Sequence, residues 1–236
     1  MNLILLENND FIDDDHVQIQ GRRFNHLKTV NRIQQGNIMM CGQLNGKMGK
    51  GVVTRISSNS CQMAVTLDTA PPEPLPLTLV LALPRPKMIR RIVQAVTSLG
   101  IKEIYLINSW RVEKSFWKSP VLSLESLQYQ MILGLEQSKD TVLPAIYFKR
   151  FFKDFVEKEL PQISKHTRCM TAHPKTDCLC PVGVNEPITL VVGPEGGFID
   201  IEIQTLEKNG FNSYHIGPRI LKVETAVTYL VSRLYS

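Results

Sequence analysis

The sequence predicts an α/β protein in which a small N-terminal β-barrel precedes a larger domain built on a parallel sheet. Three observations support this fold class. The first 70 residues contain short segments rich in Val, Ile and Met, separated by Gly and Asn, as in small barrels. Residues 71–76 are rich in proline. After them, apolar runs alternate with amphipathic helical segments, which is typical of a parallel sheet covered by helices.

The predicted barrel domain covers residues 1–70, and its clearest element is a hairpin. Ile38–Gln43 and Gly51–Ile56 have strand-like composition, and Asn45-Gly46 between them favours a tight turn. A further strand is predicted at Cys61–Leu67. These short strands indicate a small barrel.

The domain boundary is predicted at residues 71–76, which with Ala70 form the stretch APPEPLP. This stretch holds four of the fourteen prolines. Proline fixes φ and has no backbone donor, so the segment is expected to be a stiff, extended linker.

Residues 77–236 are predicted to form one α/β domain. Leu77–Leu83 is a continuous apolar run, typical of a strand buried on both faces. The apolar residues of Lys87–Leu99 share one helical face, and Glu103–Asn108 is again strand-like. Such a βαβ unit favours a parallel sheet. Further helices are predicted at Leu122–Gln137, Phe151–Leu160 (ended by Pro161), Ile201–Lys208 and Val223–Leu234, and further strands at Thr167–Ala172, Ile188–Val192 and Asn212–Ile216.

Composition excludes several classes of protein. The 236 residues are 43% hydrophobic and 21% charged, which is too apolar for a mainly disordered chain. No apolar run approaches the roughly 18 residues that a membrane span needs. The short apolar start is followed by acidic residues, unlike a secretory signal. Five cysteines, an odd number, favour free thiols and a cytoplasmic location.

Positive charge is concentrated in the predicted barrel. The net charge is +5, and the span from His16 to Leu67 contains basic residues but no acidic ones. Charge of one sign favours a polyanionic partner, of which nucleic acid is the commonest in a cytoplasm. A solvated face of an ordinary domain is the alternative interpretation. The basic residues of this span are Arg22, Arg23, Lys28, Arg32, Lys47, Lys50 and Arg55.

Three loops at predicted strand ends are candidates for ligand binding. The first is VVGPEGGFIDIE at residues 191–202, whose glycines let the backbone approach a ligand. The second is HIGPRILKVETA at residues 215–226, and the third is TAHPK at residues 171–175. In an open α/β sheet, ligands bind at the carboxyl ends of the strands. The alternative is that the loops are tight turns packed on the core.

At this spacing the loops resemble the signature of the RsmE family, the 16S rRNA uridine-N3 methyltransferases of the SPOUT superfamily. Residues 21–32, 87–100 and 136–144 resemble three further segments of that family, so the resemblance covers essentially the whole chain. It implies a PUA-like or OB-like barrel followed by a SPOUT domain with a deep trefoil knot, an exception to the rule that chains are unknotted. It also implies a cytoplasmic homodimer that modifies 16S rRNA of the small ribosomal subunit, with no metal and no membrane contact.

The resemblance implies that S-adenosylmethionine binds in the knot, with its adenine in an apolar slot. The three loops supply the expected contacts. The implied cofactor-binding residues are Thr171, His173, Pro174, Gly193, Pro194, Glu195, Gly196, Ile216, Gly217, Ile220, Leu221 and Ala226.

Arg219 in the second loop is the first catalytic candidate. Uridine N3–H is weakly acidic, so methylation requires loss of the proton or stabilisation of the charge that develops on O2 and O4. A nearby cation favours that anion. Glu195 is a weaker candidate for proton transfer, and a structural role for it is the alternative.

RNA contacts are expected from the barrel and from a segment with two tryptophans. Trp110 and Trp117 flank Arg111 and Lys114 and could stack on bases, although packing inside the fold is the commoner fate of tryptophan. The predicted RNA-binding residues are Arg22, Arg23, His26, Lys28, Arg32, Lys47, Lys50, Arg55, Arg111 and Lys114.

Three positions depart from the family's pattern: Ala95, Ser98 and Asp140 stand where it has Lys, Glu and Arg. They keep two alternatives open. The chain could be a non-catalytic RNA-binding or ribosome-assembly factor on a methyltransferase scaffold, or a SPOUT methyltransferase that acts on another RNA.

One further cluster could suggest zinc. It comprises His166, Cys169, His173, Cys178 and Cys180. Its spacing is irregular and contains no Cys-x-x-Cys pair, so no metal site is predicted.

Overall fold

The computed structural model describes residues 1–184 and 186–235. It contains two compact units, each with its own sheet. Unit 1 comprises Met1–Glu73 and Met131–Leu143, and unit 2 comprises Pro74–Gln130 and Pro144–Ser236. None of the helices in the described residues has the length and apolar character that a membrane crossing requires.

Unit 1 is built on a five-stranded, curled half-barrel sheet in the order β1-β3-β4-β5-β2. β1 pairs with β3 in parallel, and the other neighbours are antiparallel. The strands are β1 (Ile4–Leu6), β2 (His16–Gln20), β3 (Ile38–Gln43), β4 (Met48–Ile56) and β5 (Ser60–Thr69). Helix α1 (Gly21–His26) continues into a π-helical turn (Leu27–Asn31), and Asn8–Asp10 forms a single 3-10 turn.

The predicted hairpin is confirmed as β3 and β4. Asn45 adopts the left-handed backbone conformation, with φ of 59°, and the Gln43 N–H donates to the Lys47 carbonyl at 3.0 Å. β4 begins at Met48, earlier than predicted, because Met48 and Gly49 already pair across the sheet. The side chains of Met48 and Val53 point into the unit while Lys50 is exposed, so this strand presents one face to solvent.

Residues 131–143 belong to unit 1, which no pattern in the sequence predicted. The backbone N–H groups of Asn2 and Leu3 donate to the Glu136 carbonyl at 2.9 and 3.0 Å. Leu135 joins Leu3, Leu5 and Met48 in an apolar cluster. A helix that follows the first strands of unit 2 in sequence therefore completes the packing of unit 1.

Unit 2 contains a six-stranded sheet in the order β11-β9-β10-β6-β7-β8, and every neighbouring pair is parallel. Its strands are β6 (Leu77–Ala82), β7 (Glu103–Ile107), β8 (Ala145–Lys149), β9 (Arg168–Ala172), β10 (Ile188–Val192) and β11 (Asn212–Tyr214). The helices of the rest of the chain are α2 (Pro86–Ser98), α3 (Leu124–Ser138), α4 (Phe152–Asp154), α5 (Leu160–Ile163), α6 (Asp200–Lys208) and α7 (Val223–Leu234), with a π-helical turn at Phe155–Glu159 and 3-10 turns at Phe116–Lys118 and Pro120–Leu122.

The predicted α/β fold class is confirmed, with an N-terminal β unit and a parallel-sheet unit. The trefoil knot stays a prediction. Strand β10 and helix α7 have the bounds that the pattern predicted. These elements were predictable because β10 is a buried apolar run and α7 has a regular helical period.

Most other predicted elements of unit 2 differ by one or two residues at an end, and two differ by more. The helical segment predicted to stop at Pro161 continues to Ile163, because proline lies in the first turn of α5, where its missing N–H is not needed. Strand β8 was not predicted. It is an edge strand in which Ala145 and Tyr147 are exposed and none of the five residues is fully buried.

Candidate functional site

A cavity of about 240 Å³ opens in unit 2 at the carboxyl ends of three adjacent strands. Ala172, Val192 and Tyr214 are the last residues of β9, β10 and β11, and all three line it. Because these strands are parallel neighbours, the loops that follow them meet at one edge of the sheet. The three loops singled out in the sequence therefore lie together at one cavity, and their role as a binding site stays a prediction.

The predicted cofactor-binding residues gather at this cavity, with one exception. All of them except Thr171 are in its lining. Thr171 lies within β9 and is fully buried, and its hydroxyl has no hydrogen-bond partner among the described residues. It contributes to the interior of the sheet beside the cavity rather than to the cavity wall.

The loop after β10 is shaped by glycines and by one aromatic ring. A Cβ on Gly193 would lie 3.1 Å from the Phe198 ring, so glycine lets this ring pack against the strand end. Gly197 has φ of 73°, and its N–H donates to the Pro194 carbonyl at 2.8 Å in a tight turn. The backbone of the loop is thereby presented to the cavity.

Glu202 holds this loop, and the sequence analysis did not single it out. Its buried carboxylate accepts the backbone N–H of Ile199 at 3.0 Å, which caps α6. The other oxygen accepts the backbone N–H of Trp110 at 2.8 Å, from the loop after β7. Glu202 is the third residue of the observed helix, and an acid in the first turn was a signal for the cap, but nothing local indicated the second bond.

The loop after β11 is also tied to its neighbours through the backbone. The His173 N–H donates to the Tyr214 carbonyl at 2.9 Å, and the Cys180 N–H donates to the His215 carbonyl at 2.8 Å. Gly217 has φ of 121°, and its N–H donates to His215 Nδ1 at 3.1 Å. The Gly-Pro-Arg bend therefore requires glycine and directs Arg219 to the cavity.

His173 is the titratable ring in the cavity wall with a shifted pKa. Burial lowers the pKa of its imidazole below 6.5, and Lys175 lowers it further, while Asp200 and Glu207 act in the opposite direction. The ring is consequently mostly neutral at pH 7. One of its nitrogens is then a hydrogen-bond donor and the other an acceptor.

The two catalytic candidates lie in different settings. Arg219 is an exposed side chain in the cavity lining. A carboxylate oxygen of Glu195 accepts the backbone N–H of Arg85 at 3.0 Å and so links the loop after β10 to the start of α2. This contact favours a positioning role for Glu195.

Arg111, one of the predicted RNA-binding residues in unit 2, contacts the loop after β10. Its guanidinium donates to the Gly196 carbonyl. A Cβ on Gly196 would lie 3.0 Å from Arg111 Cδ, so the arginine side chain lies over this glycine. Lys114, further along the same loop, is exposed.

In unit 1, the predicted RNA-binding residues fall into two groups. Arg22 donates to both carboxylate oxygens of Glu136 at 2.7 and 2.9 Å, and Arg23 does the same with Asp10 at 2.6 and 2.7 Å. His26 is partly buried, and burial first, then the N-terminal ammonium, lower its pKa. The second group comprises Lys28, Arg32, Lys47, Lys50 and Arg55, which are exposed; the side chain of Arg22 is also 38% exposed, although it is paired with Glu136.

The His and Cys residues between 166 and 180 do not form a cluster for a metal. Within residues 1–184 and 186–235, no three His, Cys, Asp or Glu side chains are placed to hold an ion. Cys180 is buried, and Cys178 is exposed.

The parallel sheet and its strand-end cavity are those of an RNA methyltransferase domain. Residues 71–235 match the family model described as RNA methyltransferase domain. The match covers most of the chain, and the chain belongs to this family.

Curated relatives carry a more particular name. The Ribosomal RNA small subunit methyltransferase E of Treponema pallidum is 28% identical over 233 residues, which cover 96% of this chain and 87% of that protein. The protein of the same name from a Synechocystis species is 27% identical and covers 92% of this chain and 72% of its own. The resemblance to the RsmE family is thereby confirmed.

Solved structures share the fold along nearly the whole chain. The Ribosomal RNA small subunit methyltransferase E of Neisseria gonorrhoeae, bound to S-adenosyl methionine, has a TM-score of 0.72 at 20% identity and covers 98% of this chain and 96% of its own. A methyltransferase of Legionella pneumophila in complex with SAM gives the same TM-score and identity, with 98% and 95% covered.

Proposed function

We propose that this chain transfers a methyl group from S-adenosylmethionine to N3 of a uridine in 16S rRNA. The observation that carries the proposal is the convergence of the three motif loops on one cavity at the ends of β9, β10 and β11. Membership of the RNA methyltransferase family supports the class of reaction. The relatives' names support 16S rRNA of the small subunit as the substrate.

The cavity suits the cofactor chemically. Val192, Ile216, Leu221 and Leu230 supply apolar walls for an adenine ring, and the surrounding loops offer backbone donors and acceptors for its polar edge. The buried hydroxyl of Thr171, which has no hydrogen-bond partner within the part of the chain that the structure describes, lies in β9 next to this region. When bound, S-adenosylmethionine supplies an electrophilic methyl group on a sulfonium.

Residues of this chain would prepare the uridine for attack on that methyl group. Arg219, at the cavity, would stabilise the negative charge that develops on O2 and O4 as N3 loses its proton. Glu195 would hold the loop through its bond to the Arg85 N–H. The loops would align N3 with the methyl group, which supplies much of the rate enhancement. The base must leave its stack, and this costs least in single-stranded rRNA.

Unit 1 would bind the phosphates of the RNA. Lys28, Arg32, Lys47, Lys50 and Arg55 are exposed on it, whereas Arg22 and Arg23 bind carboxylates within the unit. We assign phosphate contacts to the five residues that do not pair with a carboxylate in the described part of the chain, Lys28, Arg32, Lys47, Lys50 and Arg55. A homodimer in the cytoplasm is part of the proposal by family resemblance, and sedimentation of the purified protein tests the dimer.

The first experiment measures methyl transfer from labelled S-adenosylmethionine to small ribosomal subunits from a strain that lacks the gene. Labelled 3-methyluridine is the expected product of nucleoside digestion. Label only in other RNAs would identify a different RNA substrate. Cofactor binding without label in any RNA would favour a non-catalytic, ribosome-assembly role.

The variant Arg219→Ala tests the catalytic assignment. Loss of the cation should lower turnover by about 100-fold while leaving cofactor affinity nearly unchanged, as for other groups that stabilise a developing anion. Lys222→Ala is the matched control, since Lys222 is exposed and lies outside the cavity lining. Normal turnover of Arg219→Ala would remove this residue from the mechanism.

A further inference from the structure

Trp110 has an unusual environment for a tryptophan. Trp110 is 78% exposed, which is the second-highest value among the large hydrophobic residues of the described chain. Tryptophan is usually well buried, and exposed rings are enriched where proteins bind partners. The position of Trp110 in the loop after β7 therefore needs a functional explanation.

The second tryptophan is accounted for by packing. Trp117 Nε1 donates to Asn108 Oδ1 at 2.9 Å, and its ring meets the Phe148 ring edge-on with centroids 6.4 Å apart. The guanidinium carbon of Arg150 lies 5.4 Å from the centroid of the same ring. Trp117 thus has a structural role, and the contrast identifies Trp110 as the tryptophan available to a partner.

The backbone beneath the Trp110 ring is fixed. The Trp110 N–H donates to Glu202 Oε1 at 2.8 Å, and Glu202 is only 5% exposed and also caps α6. A large flat ring on an anchored backbone loses little conformational entropy on binding. This arrangement is suited to stacking.

The next residue connects this loop to the candidate methyl-transfer site. The Arg111 guanidinium donates to the carbonyl of Gly196, which lines the cavity. Lys114 and Lys118 are exposed in the same loop, and Glu113 is its one acid between Asn108 and Lys118. An exposed ring with surplus positive charge fits a nucleic-acid strand, whose bases stack while its phosphates are negative.

We propose that Trp110 stacks on an unpaired base of the RNA substrate, with Arg111 and Lys114 beside the RNA backbone. We call these three residues the Trp110 platform. The proposal rests on the proposed function, since it adds a contact that would hold the strand next to the base entering the cavity. Stacking on a flat ring tolerates any base, so the platform would position the strand rather than select a sequence.

Fluorescence of a single-tryptophan protein tests the stacking directly. In Trp117→Phe, Trp110 is the only tryptophan, because the chain has two. Titration with a uridine dodecamer should quench its emission, and an abasic dodecamer of equal charge should quench it much less. RNA binding is followed separately by anisotropy of a labelled dodecamer. Bound dodecamer without quenching, or no binding to either the dodecamer or small ribosomal subunits, would overturn the proposal.

RNA affinity measured for three variants of Trp110 provides a second test, in which an aromatic replacement should restore binding. Trp110→Ala should raise the Kd for the dodecamer at least about fivefold, because base–aromatic stacking contributes that much or more. Trp110→Phe should restore most of the affinity, whereas Trp110→Leu, apolar but without a π face, should not. Cofactor affinity should be the same in all three. Equal RNA affinity in Trp110→Ala and the parent would overturn the platform.

Two further readouts separate the platform from its alternatives. A shift of Trp110→Ala to a smaller species in sedimentation would place the ring at an interface between copies of this chain and overturn the proposal. The dodecamer titration does not depend on catalysis. Quenching without methyl transfer to small subunits would therefore retain the platform and reject the proposed reaction. Methyl transfer with an unchanged KM for RNA in Trp110→Ala would support the proposed reaction and reject the platform.

Discussion

The two units use ionised side chains in different ways. In unit 1, guanidinium groups bind buried carboxylates: Arg22 pairs with Glu136, and Arg23 pairs with Asp10. In the loops around the cavity of unit 2, a buried carboxylate binds backbone N–H groups instead, as Glu202 does with Ile199 and Trp110. Unit 1 therefore joins distant segments through paired charges, and unit 2 fixes the course of its loops.

This difference shows that charge in a sequence does not reveal its use. Arg22 and Arg23 lie in a segment with no acids, yet their partners come from elsewhere in the same unit. Glu195 carries a charge suited to proton transfer, yet it accepts a backbone N–H. Variants of each kind of contact test the comparison.

The largest effect is expected for Arg22→Ala. Removal of the guanidinium leaves the buried carboxylate of Glu136 without its bidentate partner. Because the Arg22 side chain is 38% exposed, water can replace part of this contact, so the cost should be about 2 to 3 kcal/mol. Urea unfolding followed by far-ultraviolet circular dichroism measures the change. Tryptophan fluorescence would not report on unit 1, because both tryptophans lie outside it.

The control for this variant is Arg55→Ala, which removes an exposed arginine of the same unit and should change stability by less than about 0.5 kcal/mol. The double variant Arg22→Met with Glu136→Met should recover much of the loss, since no buried charge is then unpaired. Equal stability of Arg22→Ala and the parent would show that the pair does not hold unit 1 together.

Glu202→Ala should have the next largest effect. Two backbone donors, on Ile199 and Trp110, would lose their acceptor, at a cost of about 2 kcal/mol in unfolding free energy. Cofactor and RNA affinity should fall as well, because both loops meet the proposed site. Glu207→Ala, which removes an exposed acid from the same helix, provides the comparison. If the two variants behaved alike in calorimetry and binding, Glu202 would have no special role.

A smaller effect, confined to RNA binding, is expected for Lys47→Ala combined with Lys50→Ala. Both side chains are exposed in the hairpin of unit 1. RNA affinity should fall, and the slope of its logarithm against log salt should drop by about one for each phosphate that the protein no longer neutralises. Fluorescence anisotropy at several salt concentrations measures both, and cofactor affinity should not change.

Lys153→Ala combined with Lys158→Ala removes two exposed lysines from unit 2 and should leave the slope unchanged. A fall in cofactor affinity in the unit 1 variant would contradict the division of roles between the units. An unchanged slope in that variant would remove the hairpin from the RNA-binding surface.

The smallest effect is a pH dependence in which the two units behave alike. Burial lowers the pKa of both His173 and His26 below 6.5; Lys175 adds to this for His173, and the N-terminal ammonium and Arg22 for His26. Nearby carboxylates act in the opposite direction and raise the pKa. They are Asp200 and Glu207 for His173, and Glu136 for His26. The unfolded chain binds protons more readily, so stability should decrease as pH falls below 6.5 towards the folded pKa values.

Replacement of either histidine by glutamine should remove part of this dependence, and replacement of both should remove most of it. Thermal unfolding between pH 5 and pH 7.5 measures the slope. A double variant with the slope of the parent would show that other groups control stability in this range.

Much of the fold and the course of the loops at the cavity followed from local pattern. The apolar run at Ile188–Val192 predicted a buried strand, and the Gly-rich residues after it predicted a backbone bend, because both depend on neighbouring residues only. Edge strand β8 was missed although it is apolar, and in the structure two of its five residues are exposed and none is fully buried. Thr171 was placed in the site with the rest of its segment, but its own side chain is fully buried and outside the cavity lining.

The fold class, the hairpin of unit 1 and the bends of the loops that line the cavity can be derived from local pattern, since side-chain periodicity and glycine conformations are local properties. The pairing of charges, in contrast, depends on the packed fold. The packed fold brought Arg22 to Glu136, 114 positions away, and Trp110 to Glu202, 92 positions away. Such contacts depend on how distant elements pack, and that packing selects which charged groups are shielded from water and which stay exposed for a partner.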